Sequence, residues 1–275
     1  MTLVDASSDL GRALDGLPGD LRGHVDLLRE RVFDSVRNLP QFDLLLTELI
    51  GLARGCGAGT TVVALERTIL YGRNPFAAIF RGSRFVSLDC SPASAEGRGA
   101  YNARLVDDPR FVDVAHDARR CTPEHLDAPD ASADLVIVPN LVHHVRDQSG
   151  MFAEIHRVLR PGGRAYVFEP LLRELHQEPD DYVRYTPYGL TDALARVGLV
   201  PTAESRTGGP FSAIAYCWLQ ALQYVPESER PRLARWFHDE HLPELMRMDE
   251  AHRDNVVRKW TSFPTAFSVT CTKPA

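Results

Sequence analysis

Lysine is nearly missing from the chain: only Lys259 and Lys273 occur, and arginine supplies the other basic residues. No Lys/Arg run forms, and the net charge is −6. Nucleic-acid binding rests on neutralising phosphates with clustered basic residues, so this balance argues against such a partner. No apolar run approaches the roughly 18 residues that a membrane-spanning helix needs. The first residues, MTLVDASSDLGRALDG, lack a charged stretch followed by an apolar one, so a cytoplasmic location is expected. Cysteine is sparse and odd in number, at positions 56, 90, 121, 217 and 271, with no C-x-x-C pair. That spacing suits neither a zinc site nor a disulfide framework, and reduced thiols are expected. Repeats and low-complexity tracts are also absent.

What remains is an ordinary globular composition of 275 residues, 44% hydrophobic and 25% charged, enough for one core with insertions. Residues 8–53 read as helices. LRGHVDLLRERVFDSV places apolar residues at three- and four-residue steps, and Pro40 interrupts before FDLLLTELIGLAR. Gly55-Cys-Gly-Ala-Gly59 breaks the pattern. Strands then alternate with helical stretches: TTVVALE (60–66), SRFVSLD (83–89), RFVDVAHD (110–117), ADLVIVPN (133–140) and RAYVFEP (164–170). The helical period of MFAEIHRVLR (151–160) is expected to stop at Pro161-Gly162-Gly163. A helix over 189–197, a strand over 199–207, a helical segment over 211–258 and a last strand over 265–273 complete the chain. Strands separated by helices imply a parallel sheet with right-handed crossovers, whose ligands sit at the carboxyl ends of the strands. The stretch 211–258 is too long for a plain connection and reads as an inserted helical cap.

The segment 133–170 carries an acidic residue opening its strand (Asp134), then Val142-His143-His144. A helix end running from Glu154 through Arg157 to Pro161-Gly162-Gly163 follows. In these features it resembles the small-molecule branch of the class I S-adenosylmethionine-dependent methyltransferases. The resemblance implies an α/β, Rossmann-like, doubly wound and mostly parallel sheet of seven strands. Residues 1–59 would form an N-terminal helical lid, 60–275 the methyltransferase-like domain, and 211–258 its cap before the last strand. It also implies S-adenosylmethionine as cofactor and a small-molecule substrate, with neither nucleic acid nor membrane as partner. Homodimerisation stays open.

Two registers compete for the cofactor end. If Gly55, Gly57 and Gly59 form the glycine loop, Asp89 follows Gly55 by 34 residues, and a helix-like segment stands where a strand belongs. If TTVVALE is strand one, Glu66 ends it and Asp89 follows 23 residues later. The second spacing fits an acid taking ribose hydroxyls at the end of strand two, and it is preferred. Its glycine positions then hold Thr68, Leu70 and Gly72, so the loop departs from the family pattern, and Arg67, Tyr71 or Asn74 would hold the methionyl end. The expected cofactor residues are Glu66, Thr68, Gly72, Asp89, Asp117 and Asn140. Candidates for a catalytic base are His143, His144 and Glu169, with His176 and Tyr185 beyond strand five. His238-Asp239-Glu240-His241 lacks a third ligand at usable spacing and reads as a charged cap helix, so no metal is expected. Of the aromatic cap residues Phe211, Tyr216, Trp218, Tyr224, Trp236, Phe237 and Trp260, only a few are expected to meet substrate. Three functions are open: methyl transfer to a small metabolite in specialised biosynthesis; non-methyl chemistry on the same cofactor, such as cyclisation or aminocarboxypropyl transfer; and a non-catalytic binding protein.

Overall fold

The computed structural model describes residues 2–5, 10–31, 40–67, 72–91, 105–253 and 262–275. Eight strands make one sheet: β1 (Thr2–Asp5), β2 (Thr61–Glu66), β3 (Arg84–Asp89), β4 (Asp117–Arg120), β5 (Ala133–Pro139), β6 (Leu159–Pro170), β7 (Val200–Thr207) and β8 (Ala266–Thr272). Their spatial order is β1-β7-β8-β6-β5-β2-β3-β4. β8 runs antiparallel to β6 and β7, while every other pairing is parallel. Six of the seven expected strands stand where the sequence puts them, the third is replaced by Asp117–Arg120, and the eighth, β1, extends the edge at β7.

β2 and β5 lie at the centre, and their runs of Val, Leu and Ile are buried on both faces. One face carries α1 (Leu10–Leu14), α2 (Gly19–Arg31) and α3 (Pro40–Arg54), packed with the cap residues Tyr216, Phe237 and Leu242. The other face is covered by α4 (Gln148–Val158) and α5 (Pro187–Arg196). The N-terminal segment therefore shares the core of the sheet. From α3, Glu48 accepts hydrogen bonds from Tyr166 Oη at 2.8 Å and Ser268 Oγ at 2.6 Å, which ties the helix to β6 and β8.

Two sequence expectations are corrected. RFVDVAHD (110–117) is not a strand; β4 begins only at Asp117. The alternating Phe111, Val112 and Val114 instead pack against the α2–α3 core, and the Val112 N–H donates to His24 Nδ1 at 3.0 Å. Period-two alternation was satisfied by a helix layer rather than by a ladder. The helix before Pro161-Gly162-Gly163 ends at Val158, and these three residues lie inside β6. Gly162 has φ +76°, and a Cβ on Gly163 would stand 2.8 Å from the Arg160 carbonyl and 3.0 Å from that of Ala133. The glycines thus permit the irregularity where β6 meets the start of β5.

The cap comprises α6 (Pro210–Ala221), a 3-10 turn (Leu222–Tyr224), α7 (Arg230–Trp236), a π-helical turn (Phe237–His241) and α8 (Leu242–Ala251). Asp249 of α8 accepts from the backbone N–H groups of Phe211 and Ser212, at 3.1 and 2.6 Å, closing α8 onto the start of α6. Trp218 stacks on Phe237 with centroids 5.5 Å apart. Most described cap aromatics are thus packing residues, though Tyr224 and, in part, Trp236 are exposed. Trp260 lies outside the described residues. No described helix is long and apolar enough to cross a membrane.

Candidate functional site

The carboxyl ends of β2, β3, β5 and β6 gather the residues singled out from sequence. Glu66 and Asp89 end adjacent parallel strands and are register partners. The glycines 55–59 instead join α3 to the amino end of β2, where the Thr60 N–H donates to the Gly57 carbonyl at 2.8 Å. Asp134 works at that same amino edge, accepting the Thr61 N–H at 2.8 Å and pairing with Arg160. The geometry therefore puts the acidic pair, not the glycine run, where parallel sheets bind ligands.

Asp89 is largely buried, and its Oδ1 accepts the Ser91 N–H at 2.9 Å. Its Oδ2 lies 3.6 Å from Nε of the exposed Arg120, a contact weakened by solvent. Burial, reinforced by the Asp89 charge, pushes the Glu66 carboxyl up to about 8. Glu66 Oε1 is shut off from solvent and makes no hydrogen bond with the described residues. Asn74, buried beside it, donates through Nδ2 to Ser87 Oγ at 2.8 Å and accepts the Phe76 N–H through Oδ1. The sequence makes Asn74 a candidate for the methionyl end, and its Asn-Pro pair signals a turn but not burial.

Gly72 has φ +74°, and a Cβ there would stand 3.4 Å from that of Ala118. Thr68, Leu70 and Tyr71 lie outside the described residues. Arg67 turns away from β2 and donates to Asp180, to the backbone oxygen at 3.2 Å and to the carboxylate at 3.0 Å. Asp117 opens β4 rather than following it, level with Val86, and is paired with Arg119. The carboxyl end of β4 carries Arg120 and then Cys121, so Asp117 opens the strand whose end it was expected to form. All five cysteines are free.

Across the sheet, Asn140 follows β5 with φ +63°, a left-handed conformation that asparagine tolerates better than most residues. Its N–H donates to the Phe168 carbonyl at 2.8 Å, and its buried Oδ1 has no partner among the described residues. The chain then makes a 3-10 turn, Val142–His144. Glu169, near the end of β6, accepts the Val142 N–H at 2.7 Å through Oε1. Through Oε2 it takes the His143 N–H at 3.3 Å and His143 Nδ1 at 2.7 Å. With both oxygens engaged and 2% exposure, Glu169 is built to cap the turn and orient His143. His143 Nε2 is left as the basic nitrogen.

His144 and His176 stand against His143, with ring centroids 4.0 and 5.2 Å from it. Burial depresses His144 to about 2, with the neighbouring His143 adding to it, and depresses His176 to about 4 with help from Arg173. Both rings are neutral at pH 7. The Nε2 atoms of His143 and His144 are buried without a partner, a condition that costs about 1–3 kcal/mol per group and is retained where the group has work to do. His176 was legible only as a histidine beyond strand five; its approach to the His-His pair depends on the path of residues 171–182. His238 and His241 lie on the π-helical turn of the cap, outside this cluster. Tyr185 packs near Phe152 of α4, centroids 6.4 Å apart.

A parallel sheet with one antiparallel strand, an acid ending each of two adjacent central strands and a His-His turn after the next define the class I S-adenosylmethionine-dependent methyltransferase fold. Residues 52–167 match the family model described as a methyltransferase domain. A curated Mycolicibacterium smegmatis protein named "Probable S-adenosylmethionine-dependent methyltransferase" is 34% identical over 120 residues, 43% of this chain and 37% of its own length. The chain thus spans little more than a third of that relative. Among solved structures, the (4+2)-cyclase SpnF aligns with TM-score 0.52 and 16% identity, covering 100% of this chain and 98% of the cyclase. Phosphoethanolamine N-methyltransferase 2 of Haemonchus contortus, solved with phosphomonomethylethanolamine and S-adenosylhomocysteine, aligns with TM-score 0.51 and 13% identity over 99% of this chain and 61% of its own. At these identities the likeness shows the fold alone.

The residues present fit the family's cofactor. Glu66 Oε1 and Asn140 Oδ1 are buried, unpartnered acceptors on strands separated only by their own pairing, and Asp89 stands beside Glu66. Such acceptors suit a ligand carrying hydroxyl and ammonium donors.

Proposed function

We propose that the protein transfers the methyl group of S-adenosylmethionine to a small-molecule metabolite, in specialised biosynthesis and in the cytoplasm. The observation that carries this reading is the Glu66–Asp89 pair at the carboxyl ends of adjacent strands, across from Asn140 and His143. When bound, the cofactor supplies a methyl group on a positively charged sulfur, open to in-line attack. Asp89 holds the ribose hydroxyls through charge-assisted hydrogen bonds. Glu66, protonated below about pH 8 in the free protein, ionises against the ammonium of the methionyl end. Asn140 offers Oδ1 to the same end, and Gly72 brings backbone close on the β4 side.

For an acceptor carrying a proton, His143 Nε2 is the base. Glu169 fixes the ring through Nδ1 and stabilises the imidazolium that results, as an orienting carboxylate does. His144 is the second candidate; its depressed basicity makes it the weaker base. The cap and α1–α2 form the walls of the acceptor pocket. Thr68, which stands at a glycine position in the family pattern, remains part of the proposed cofactor loop.

The reading is tested by incubating the protein with S-adenosylmethionine and a panel of small hydroxyl and amine acceptors. Formation of S-adenosylhomocysteine together with methylated acceptor supports it. Methylthioadenosine above the spontaneous background would instead point to non-methyl chemistry on the same cofactor. No product and no cofactor binding would leave a non-catalytic binding protein.

A further inference from the structure

His143, His144 and His176 form a group that proton transfer from an acceptor leaves mostly unused. Each places a ring nitrogen within 4.8 Å of ring nitrogens of the other two. The Nδ1 atoms all face oxygens: Glu169 Oε2 at 2.7 Å for His143 and the Asp180 carbonyl at 2.6 Å for His144. His176 Nδ1 faces the Glu174 carbonyl at 3.1 Å and Asp181 Oδ2 at 3.2 Å. Carbonyl and carboxylate oxygens only accept, so Nδ1 is the protonated nitrogen in each ring. A lone pair available to a ligand therefore lies on Nε2. For His143 and His144, both more than nine-tenths buried, that Nε2 is shut off from solvent and unpartnered. Histidines whose Nδ1–H is tied back to an oxygen while Nε2 is left bare have the arrangement of metal ligands with their supporting shell.

We propose that His143, His144 and His176 bind one divalent first-row transition ion of the Zn²⁺ class through their Nε2 atoms. Three neutral nitrogen donors favour Zn²⁺ or Co²⁺ over Mg²⁺ and Ca²⁺, which take oxygen ligands. Bonds of about 2.0–2.1 Å in a tetrahedron put the nitrogens roughly 3.3 Å apart, and the three rings already lie close enough for a ring nitrogen of each to stand within 4.8 Å of the others. Glu169 and Asp181 stand behind two of the rings and offset the incoming charge. Arg67, which faces His144, is itself paired with Asp180. Three protein ligands leave a fourth position open to water or to an acceptor atom. Base and ligand are exclusive uses of His143 Nε2, so a bound ion would take over activation of the acceptor.

The test needs no cofactor, so its outcome is independent of methyl transfer. The full chain is stripped with a chelator and titrated with Co²⁺, followed by its visible d–d absorption, and with Zn²⁺ by calorimetry. One equivalent is expected to bind at micromolar or lower concentration. Binding should weaken at least about 100-fold in His176→Gln, stay unchanged in His238→Gln and be matched by no response to Mg²⁺. ¹⁵N imidazole spectra of the wild-type chain provide a second readout that does not depend on a variant folding. Zn²⁺ should move three Nε2 resonances and leave their Nδ1 partners protonated. Absence of Co²⁺ absorption, equal affinity in the folded His176→Gln variant, or Zn²⁺ shifts confined to His238 and His241 would each overturn the site.

Discussion

The carboxyl edge of the sheet has two halves that treat their polar groups in opposite ways. At β2 and β3, two carboxyl groups stand side by side, Glu66 under desolvation and Asp89 held by the Ser91 N–H and a longer contact to the exposed Arg120. At β5 and β6, the one carboxylate, Glu169, is saturated by two backbone N–H groups and a ring nitrogen. The first half is under-satisfied and waits for donors; the second has spent its carboxylate on holding a histidine still. A ligand that brings hydroxyls and an ammonium relieves the first half. The second half gains nothing from such a ligand and offers lone pairs instead, to a proton or to a metal ion. Under the proposed function, one edge separates the task of holding from the task of reacting.

The largest effect expected is on the reacting half. His143→Ala should lower kcat/KM for a proton-bearing acceptor by about 10²–10⁴-fold, with cofactor affinity little changed, because only the base is lost. Steady-state kinetics beside a cofactor titration reads both numbers. Equal losses in affinity and turnover would show that the two halves are not separate.

Asp89→Ala should weaken S-adenosylhomocysteine binding about 30- to 150-fold, from the loss of two charge-assisted hydrogen bonds worth on the order of 2–3 kcal/mol together. Unchanged affinity in a folded variant would remove Asp89 from the site.

Glu66 gives the comparison a pH axis. The unfolded carboxyl loses its proton near its ordinary value, the folded one only near 8, so between these points the native state binds more protons. Stability should therefore fall as pH rises from about 5 to 8 and level off above, by on the order of 2–4 kcal/mol. Glu66→Gln should flatten that slope, raising Tm at pH 8 relative to wild type, and remove any rise in cofactor affinity over the same range. Thermal melts at pH 5.5, 7 and 8.5 decide it; parallel slopes in both proteins would contradict the buried acid.

The smallest effect belongs to Asp117. Its partner Arg119 is two residues on along the same strand and both are partly exposed, so Asp117→Ala should change stability by less than about 1 kcal/mol and cofactor affinity by less than about twofold. A loss as large as that of Asp89→Ala would restore it to the site.

These contrasts mark what could be read without coordinates. β2, β3 and β5 were legible because buried parallel strands are continuous apolar runs, and the interval from Glu66 to Asp89 fixed which strand ends meet. The 110–117 segment was misread because alternation records a half-buried surface, not what covers it, and α2 covers Phe111 and Val112 here. β1 escaped because four residues, TLVD, carry too little pattern. The triad of histidines was out of reach for another reason. His143 and His144 announce themselves as neighbours, but His176 joins them only through the fold of the loop after β6, a long-range contact with no spacing rule. Asn74 likewise shows its role only once Ser87 of β3 is beside it.

The central claim is that the acidic strand ends, not the glycine run, hold the nucleoside. A crystal structure of the protein with S-adenosylhomocysteine tests it most directly. The account predicts both ribose hydroxyls within hydrogen-bond distance of the Asp89 carboxylate and the amino group facing Glu66. A nucleoside lying against Gly57, at the amino end of β2, would contradict it.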